Sequence, residues 1–372
     1  MKILYFTNIF PHYRLAIWKE LLKSKDFSIE IFYSKSKFQE IEGVSIKDEI
    51  DINNQNRLHN LKNFKLFGHI FWQSKTLIKS IFSDYHAIFL LGDMKLITNW
   101  IIPLIARLRN KKIVYWTHGI YGNETQLKKK TRLLFLSLSH EILVYEKNAK
   151  KLLTNYGFNP SNLHVVYNSL NYGYQKSLFK ELSSQKVIKS EIKRIIFIGR
   201  LTKVKKLDML IKVIKNLNRH KLNYKLTLIG DGPEKERLKH LSNEGIKKKY
   251  INFLGGIYNE KKIAKELYDS DLCVAPGNIG LTCIHSLTYG TPVCTHSNII
   301  NQMPEFEAIK EGVNGTLFKE DDIDDLELKI KTWFEKYHQK NTKLSIRKVV
   351  DEDYNPHNQI RIINNMIDKW QK

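Results

Sequence analysis

Short, mostly apolar runs alternate with longer amphipathic ones, and this alternation is run through twice. That feature constrains the fold more than any other. Residues 2–6, 28–33, 87–91, 113–116, 141–145 and 164–167 read as buried strands, with helical stretches over 15–23 and 95–107 between some of them. The segment 177–194 is polar, charged and irregular, and reads as a linker. The pattern then restarts more cleanly, with strands over 195–198, 225–229, 251–254, 272–275 and 292–295 and helices over 208–217, 234–242, 261–268 and 281–289. Strands that alternate with helices imply a parallel sheet covered on both faces. The expected fold is therefore α/β, with two Rossmann-like, doubly wound domains facing across a cleft. Ligands bind at the carboxyl ends of the strands in such folds. The boundaries fall at 1–180 and 181–354, with 355–372 a candidate to cross back onto the first domain. No short internal period appears.

A chain of 372 residues with 42% hydrophobic content suits two packed domains and excludes global disorder. Its formal net charge is +23. An excess of that size points to an anionic partner: nucleic acid, an anionic membrane or a phosphorylated substrate. Scattered lysine from compositional bias explains it equally well. No zinc-finger spacing, basic zipper or RNA-recognition motif is present, so nucleic acid is not the expected partner. Cys273, Cys283 and Cys294 are odd in number and form no CxxC pair, so no disulfide framework or zinc site is implied. The amino terminus lacks a signal-peptide cleavage pattern. The longest uncharged apolar stretch, 96–106, is far short of the ~20 residues of a membrane helix. The expected setting is cytoplasmic, with peripheral attachment to the inner face of the plasma membrane as a candidate.

Three motifs carry chemistry, each placed after a strand and before a helix. The first runs Gly199-Arg200-Leu201-Thr202-Lys203-Val204-Lys205-Lys206. Two cations beside a helix amino terminus suit a diphosphate and can stabilise a leaving group without a metal. An ordinary basic loop is the competing reading. The second is Gly230-Asp231-Gly232-Pro233, for which a plain turn is as good an explanation as a place near the nucleotide. The third is Pro276-Gly277-Asn278-Ile279-Gly280-Leu281, whose backbone N–H groups suit phosphate or sugar hydroxyls. His285 follows on the same helix, where a lone histidine is more often structural.

Taken in order, these motifs resemble glycosyltransferase family 4, retaining enzymes of the GT-B fold. The resemblance is strong over 195–318, including Tyr289-Gly290-Thr291-Pro292-Val293 and the segment from Pro304-Glu305 to Gly312-Val313-Asn314-Gly315. It is looser in the first half, through Asn8 to Arg14 and Trp116-Thr117-His118-Gly119. It implies an acceptor-binding first domain and a second domain that binds a nucleoside diphosphate sugar. Arg200 and Lys205 would hold the donor diphosphate, next to Gly199 and Gly232. Gly277, Asn278, Ile279, Gly280 and Leu281 would contact phosphate and sugar through their backbone. His118 would approach the donor sugar from the opposite wall. Tyr258 would lie near the base and Glu305 near the donor, a loop-capping role being the alternative for Glu305. His12, Tyr13 and Arg14 would lie on the acceptor side.

The chain departs from the family at two positions. Gly277 and His285 stand where two glutamates, seven residues apart, are usual. The second of these normally accepts ribose hydroxyls, and a neutral imidazole replaces only one such bond. Lys206 replaces a glycine, which adds a charge near the phosphates. Asp269-Ser270-Asp271 matches a metal–diphosphate motif but reads as a connecting turn, so no metal or other cofactor is expected. The acidic run 320–325 reads as charge at a helix amino terminus. Lys128, Lys129, Lys130 and Arg132 precede an apolar stretch and could meet an anionic membrane, although a solvated helix end is slightly favoured. The resemblance implies sugar transfer, with retention, to a glycan or lipid-linked acceptor in polysaccharide or lipopolysaccharide assembly. A nucleotide-sugar epimerase and a non-catalytic binding subunit are the rival readings.

Overall fold

A computed structural model describes residues 1–9, 11–34, 52–122, 124–185, 191–221 and 223–370, and the side chains at positions 12, 52 and 53 lie outside that set. The chain forms two compact units, Met1–Asn171 with Pro356–Lys372, and Tyr172–Asn355.

The first unit holds β1 (Lys2–Phe6), β2 (Ser28–Ser34), β3 (Leu58–Leu61), the hairpin strands β4 (Phe64–Phe67) and β5 (Ile70–Trp72), β6 (Ala87–Leu91), β7 (Lys112–Thr117), β8 (Glu141–Val144) and β9 (Leu163–Val165). Seven of them make a parallel sheet in the order β3-β2-β1-β6-β7-β8-β9, and β4 pairs with β5 antiparallel. Strand runs such as Ile3 to Phe6 and Ala87 to Leu90 are buried throughout, as a sheet covered on both faces requires. One face packs on the helix Leu15–Lys23, through Trp18 and Leu21, and on the last helix, Pro356–Asp368, through Ile363, Met366 and Ile367. Polar contacts fix that last helix in place. Ser169 Oγ donates to Gln359 Oε1 at 2.6 Å, and Gln359 Nε2 donates to the Tyr167 carbonyl at 3.1 Å.

The second unit holds β10 (Lys193–Ile198), β11 (Tyr224–Ile229), β12 (Ile251–Gly255), β13 (Leu272–Ala275), β14 (Val293–His296) and β15 (Gly315–Phe318). They form a parallel sheet in the order β12-β11-β10-β13-β14-β15. In both sheets the strand order reverses beside the first strand, between β1 and β6 and between β10 and β13. The loops leaving those strands open a crevice at their carboxyl ends. The three cysteine thiols are free and buried in the second unit.

The segment expected to be a linker is corrected. Residues Tyr172–Ser183 form a helix that buries Tyr172, Gln175, Leu178, Phe179 and Leu182. Those positions recur every three or four residues inside a polar background, which hides the helical period from a reading by composition. The units therefore divide at 171/172 rather than at 180/181. Residues 186–190 of the expected linker lie outside the described residues.

Candidate functional site

In the second unit, β10 ends at Ile198, and the chain turns at Gly199 into a one-turn 3-10 helix, Lys203–Lys205, before the helix Leu207–Leu217 begins. The neighbouring β13 ends at Ala275 and opens through Gly277 to Gly280 into the helix Leu281–Thr288. The two loops lock together. The Gly277 N–H donates to the Lys205 carbonyl at 3.0 Å, and a Cβ placed on Gly277 would lie 1.9 Å from the Val204 oxygen. Glycine is therefore required here, and a glutamate side chain has no room. Lys205 is threaded across the junction, donating from Nζ to both the Asn278 carbonyl and Asn278 Oδ1 at 2.8 Å. Burial lowers the affinity of its ammonium for the proton, and the carboxylate of Glu305 works the other way. Arg200 stays exposed on the same loop.

The Gly230-Asp231-Gly232 turn packs backbone to backbone against this loop. The N–H of Leu201 donates to the Asp231 carbonyl at 2.8 Å, and the N–H of Glu234 to the Leu201 carbonyl at 3.0 Å. A Cβ on Gly230 would lie 1.8 Å from the Gly199 oxygen, and one on Gly232 would lie 2.4 Å from that of Leu201. Gly232 thus has a packing role that fully accounts for it.

Lys206 does not behave as its sequence position suggests. It adopts the left-handed conformation, φ +50°, that glycine takes more cheaply. Its ammonium turns away into the acidic loop, to Asp321 at 2.6 Å and Glu320 at 3.1 Å. The expected extra charge near the phosphates is therefore neutralised. Burial of Glu320 opposes its charge, but donors from Asn301, Asn298 and Lys206 bring its pKa down to about 2. Within the acidic run, Asp322 caps the helix Ile323–Thr332 by accepting from the Asp325 N–H.

His285 has a partner that the sequence did not reveal. Its Nε2 lies 2.9 Å from Glu260 Oε1, which also accepts from Tyr289 Oη at 2.6 Å and Gln175 Nε2 at 2.9 Å. Burial works against the charge of Glu260, but these contacts outweigh it and hold the carboxyl below its ordinary range. All three converge on Oε1, and among the described residues Oε2 accepts no hydrogen bond. The cluster draws on positions 175, 260, 285 and 289, too scattered for any local motif to flag.

The other expected donor contacts fall out unevenly. The Ile279 N–H donates to Gln302 Oε1 at 2.7 Å, so in this state it is not open to a ligand. Glu305 is buried in the turn Pro304–Ala308, with Oε2 3.9 Å from the point where a Gly280 Cβ would sit. Gly280 and Leu281 begin a helix, whose first N–H groups lack intrahelical partners. Tyr258 is 94% exposed on the loop after β12. Asp269 and Asp271 are used locally, Asp269 pairing with Lys265 at 2.8 Å and Asp271 accepting the Arg194 N–H at 2.7 Å. They sit in the connecting turn that the sequence suggested. Among the described residues no cluster of three His, Cys, Asp or Glu side chains is placed to hold a metal ion.

In the first unit a cavity of about 460 Å³ lies at the carboxyl ends of β1, β6, β7 and β8. Tyr13, Arg14, Met94, Lys95, His118, Tyr121 and Tyr145 are among its walls. The buried guanidinium of Arg14 lies 5.4 Å from the ring centres of Trp116 and Tyr145 and donates to Tyr5 Oη at 3.2 Å. His118 packs against Tyr145 with ring centres 4.7 Å apart. Burial, reinforced by the charges of Arg14 and Arg132, pushes its pKa down to about 4. Its imidazole is neutral at pH 7, and Nδ1 is buried with no hydrogen-bond partner among the described residues. The side chain of His12 lies outside the described residues.

The basic cluster at 128–132 is split. Lys128 lines this cavity, and Arg132 is buried and paired with Glu124 at 2.6 Å. Lys129 sits 5.6 Å over the Tyr156 ring. Phe135 and Leu136 are core, while Leu134 is exposed. The cluster is therefore not one membrane-facing patch.

Comparison with known proteins bears on this geometry. Residues 179–348 match the family model described as glycosyl transferases group 1. The amylovoran biosynthesis glycosyltransferase AmsD of Erwinia amylovora is 30% identical over 149 residues, 40% of this chain and 39% of that protein. The chain spans about half the length, or less, of the curated relatives it matches. Among solved structures, the apo form of the lipopolysaccharide outer core galactosyltransferase WaaB superposes with a TM-score of 0.69 at 15% identity, covering 99% of both chains. HepE of Anabaena, solved with UDP, gives 0.70 at 14%, covering 99% of this chain and all of that one. Residues 179–348 are thus similar to glycosyl transferases group 1, and the chain as a whole has the GT-B fold of two parallel-sheet α/β domains.

Proposed function

We propose that the chain is a retaining glycosyltransferase of family 4, moving a sugar from a nucleoside diphosphate donor to a glycan or lipid-linked glycan without a metal. Polysaccharide or lipopolysaccharide assembly is the setting, as the names of AmsD and WaaB suggest for those proteins. One observation carries the reading. At the switch point of the second sheet, Arg200 and Lys205 stand on a loop clamped to the Gly277 strand-end, beside the first turn of the helix Leu281–Thr288. Fixed cations beside unpaired helix N–H groups match a diphosphate and the charge that builds on it as the sugar departs. The buried ammonium of Lys205 holds its position through Asn278, so little reorganisation is needed when the phosphate arrives.

Glu260 takes over the ribose. Oε1 is anchored by His285, Tyr289 and Gln175, which leaves Oε2 to accept a hydroxyl. A carboxylate is thereby restored where the usual glutamate is missing. In the first unit, neutral His118 can exchange a hydrogen bond with a sugar hydroxyl through Nδ1. Tyr13 and Arg14 flank the acceptor. The phosphate of the departing nucleotide accepts the proton of the incoming hydroxyl, so no side-chain base is required.

UDP-sugars are the first donors to test, because HepE was solved with UDP. A donor that binds only the folded state raises the melting temperature. Arg200→Ala and Lys205→Ala are expected to abolish turnover and most of that shift, and Glu260→Gln to weaken the shift by about tenfold in affinity. Turnover is expected to survive EDTA. A wild-type protein that binds donor and never turns it over would instead identify a binding subunit. An absolute requirement for Mg2+ or Mn2+ would overturn the metal-free mechanism.

A further inference from the structure

The helix Ser74–Phe82 buries two polar side chains fully and exposes three of its apolar ones. Its buried positions are Thr76 and Ser80, while its outward face carries Ile78, Ile81 and Phe82, the last 80% exposed. A helix on a soluble surface shows the opposite arrangement. The inward face is satisfied by its own backbone, Thr76 Oγ1 donating to the Gln73 carbonyl at 2.6 Å and Ser80 Oγ to that of Thr76 at 2.7 Å. The polar residues are thus stable inside, where Leu77 packs beside them on the core, while Ile78, Ile81 and Phe82 face outward.

The neighbouring elements also expose large apolar side chains. The helix Thr98–Leu108 packs beside it and presents Leu104 and Leu108, the latter 88% exposed. The hairpin β4–β5 leads directly into Ser74 and presents Phe64, Leu66 and Phe67. It is tied to the chain before the second helix, since the Phe71 N–H donates to the Lys95 carbonyl at 2.8 Å and the Ile97 N–H to that of Phe71 at 3.0 Å. Large exposed side chains gathered on three neighbouring elements mark an interaction site. The charges among them are nearly all positive. Lys65, Lys75, Lys79 and Arg107 lie on these elements and Lys62 just before them, against Asp93 before the second helix and Asp84, which sits near Lys111 at 3.9 Å.

We infer that this layer docks the chain on an anionic membrane surface, its aromatic and leucine side chains entering the headgroup boundary while the lysines meet lipid phosphates. Apolar side chains ringed by cations suit that occupant. A second copy of the same face would bring lysines against lysines. The layer also adjoins the first unit's cavity, because the Lys95 that pairs with the hairpin lines the cavity together with Met94. A lipid-linked acceptor could therefore pass from the bilayer into the cavity beside Met94, a step that rests on the transferase reading above.

The test uses the full chain and vesicles of phosphatidylcholine with or without phosphatidylglycerol, scored by co-sedimentation. Wild type is expected to sediment with the anionic vesicles and to be released by salt. The double variant Phe82→Ser, Leu108→Ser and, separately, Lys65→Glu with Lys79→Glu are expected to lose about tenfold in binding. Both sets lie on the solvent side, so their melting temperatures and UDP-sugar shifts should match wild type, which separates lost docking from lost folding. Wild type that ignores anionic vesicles, or variants that sediment like it, would overturn the inference. So would a dimer that the serine variants dissociate, since the occupant would then be a second copy. Vesicle binding that persists while no donor is turned over on a lipid-linked acceptor would support docking and remove the transferase reading alone.

Discussion

Gly277 shows how far one residue can reorganise a site. The family that the sequence resembles has a glutamate at this position, and here the neighbouring loop lies so close that the Val204 oxygen would touch any Cβ. Gly277→Ala should therefore destabilise the second unit by about 2 kcal/mol, the cost of overpacking, and loosen the loop that carries Lys205. Urea unfolding measures the first effect and donor affinity the second; an unchanged midpoint would show that the loops part easily. His118 gives a prediction for pH. Its folded pKa of about 4 lies below the ordinary histidine value of 6.5, so between these values the unfolded chain binds a proton that the folded one refuses. Stability then falls as pH drops through that window, and at pH 5 His118 alone should cost about 2 kcal/mol relative to pH 7. Comparing urea midpoints of wild type and His118→Gln at both pH values checks this, the variant losing less. The sequence made Arg200, Lys205 and His118 visible because each follows a strand. Glu260 stayed hidden because its partners come from two other helices far apart in the chain, and Lys206 misled because a charge says nothing of where its side chain turns.

Among elements, the helix Tyr172–Ser183 was the one missed outright where the two patterns meet. Its hold on the second unit depends on a residue far along the chain. Arg347, in the helix Lys343–Glu352, is buried and lies 4.7 Å from the Phe179 ring and 5.7 Å from that of Tyr172. It also donates to the Thr288 carbonyl at 2.8 Å and to both oxygens of Asp351, while Tyr172 Oη donates to Asp351 at 2.8 Å. Arg347→Ala removes the cation and leaves the Thr288 carbonyl and Asp351 without it, for a loss of about 3 kcal/mol measurable by chemical denaturation. Arg347→Met, which keeps most of the stem, should recover part of that. The strands read from the sequence lie within a residue or two of those in the structure, since continuous burial leaves a plain apolar signature, whereas β3 and β15 were not read at all. The hairpin β4–β5 and the helix Ser74–Phe82 were not, because their apolar side chains face outward and their spacing points to no core.

For the molecule as a whole, the two-sheet architecture followed from the repeated alternation, and the orders of the strands did not, because pairing between distant segments leaves no mark on either one. The return of the last helix to the first unit was only a candidate, and its Ile363, Met366 and Ile367 complete the core around Trp18 and Leu21. A chain stopped after Asn355 should keep the second unit, which is continuous from Tyr172 to Asn355. It should lose the cooperative unfolding of the first. Calorimetry should then show one transition fewer, and limited proteolysis should digest residues before 172 while sparing those after.

That same helix sets a timetable for birth on the ribosome. The second unit can close as soon as its last strand and helices emerge, whereas the first must hold its exposed sheet open until residues 356–372 have followed. At translation rates of ~5–20 residues per second, the wait between Asn171 and Asn355 is roughly ten to forty seconds. Through that interval the half-built amino-terminal core is a client for any chaperone that binds apolar strands. A message truncated before codon 356 would leave it in that condition permanently.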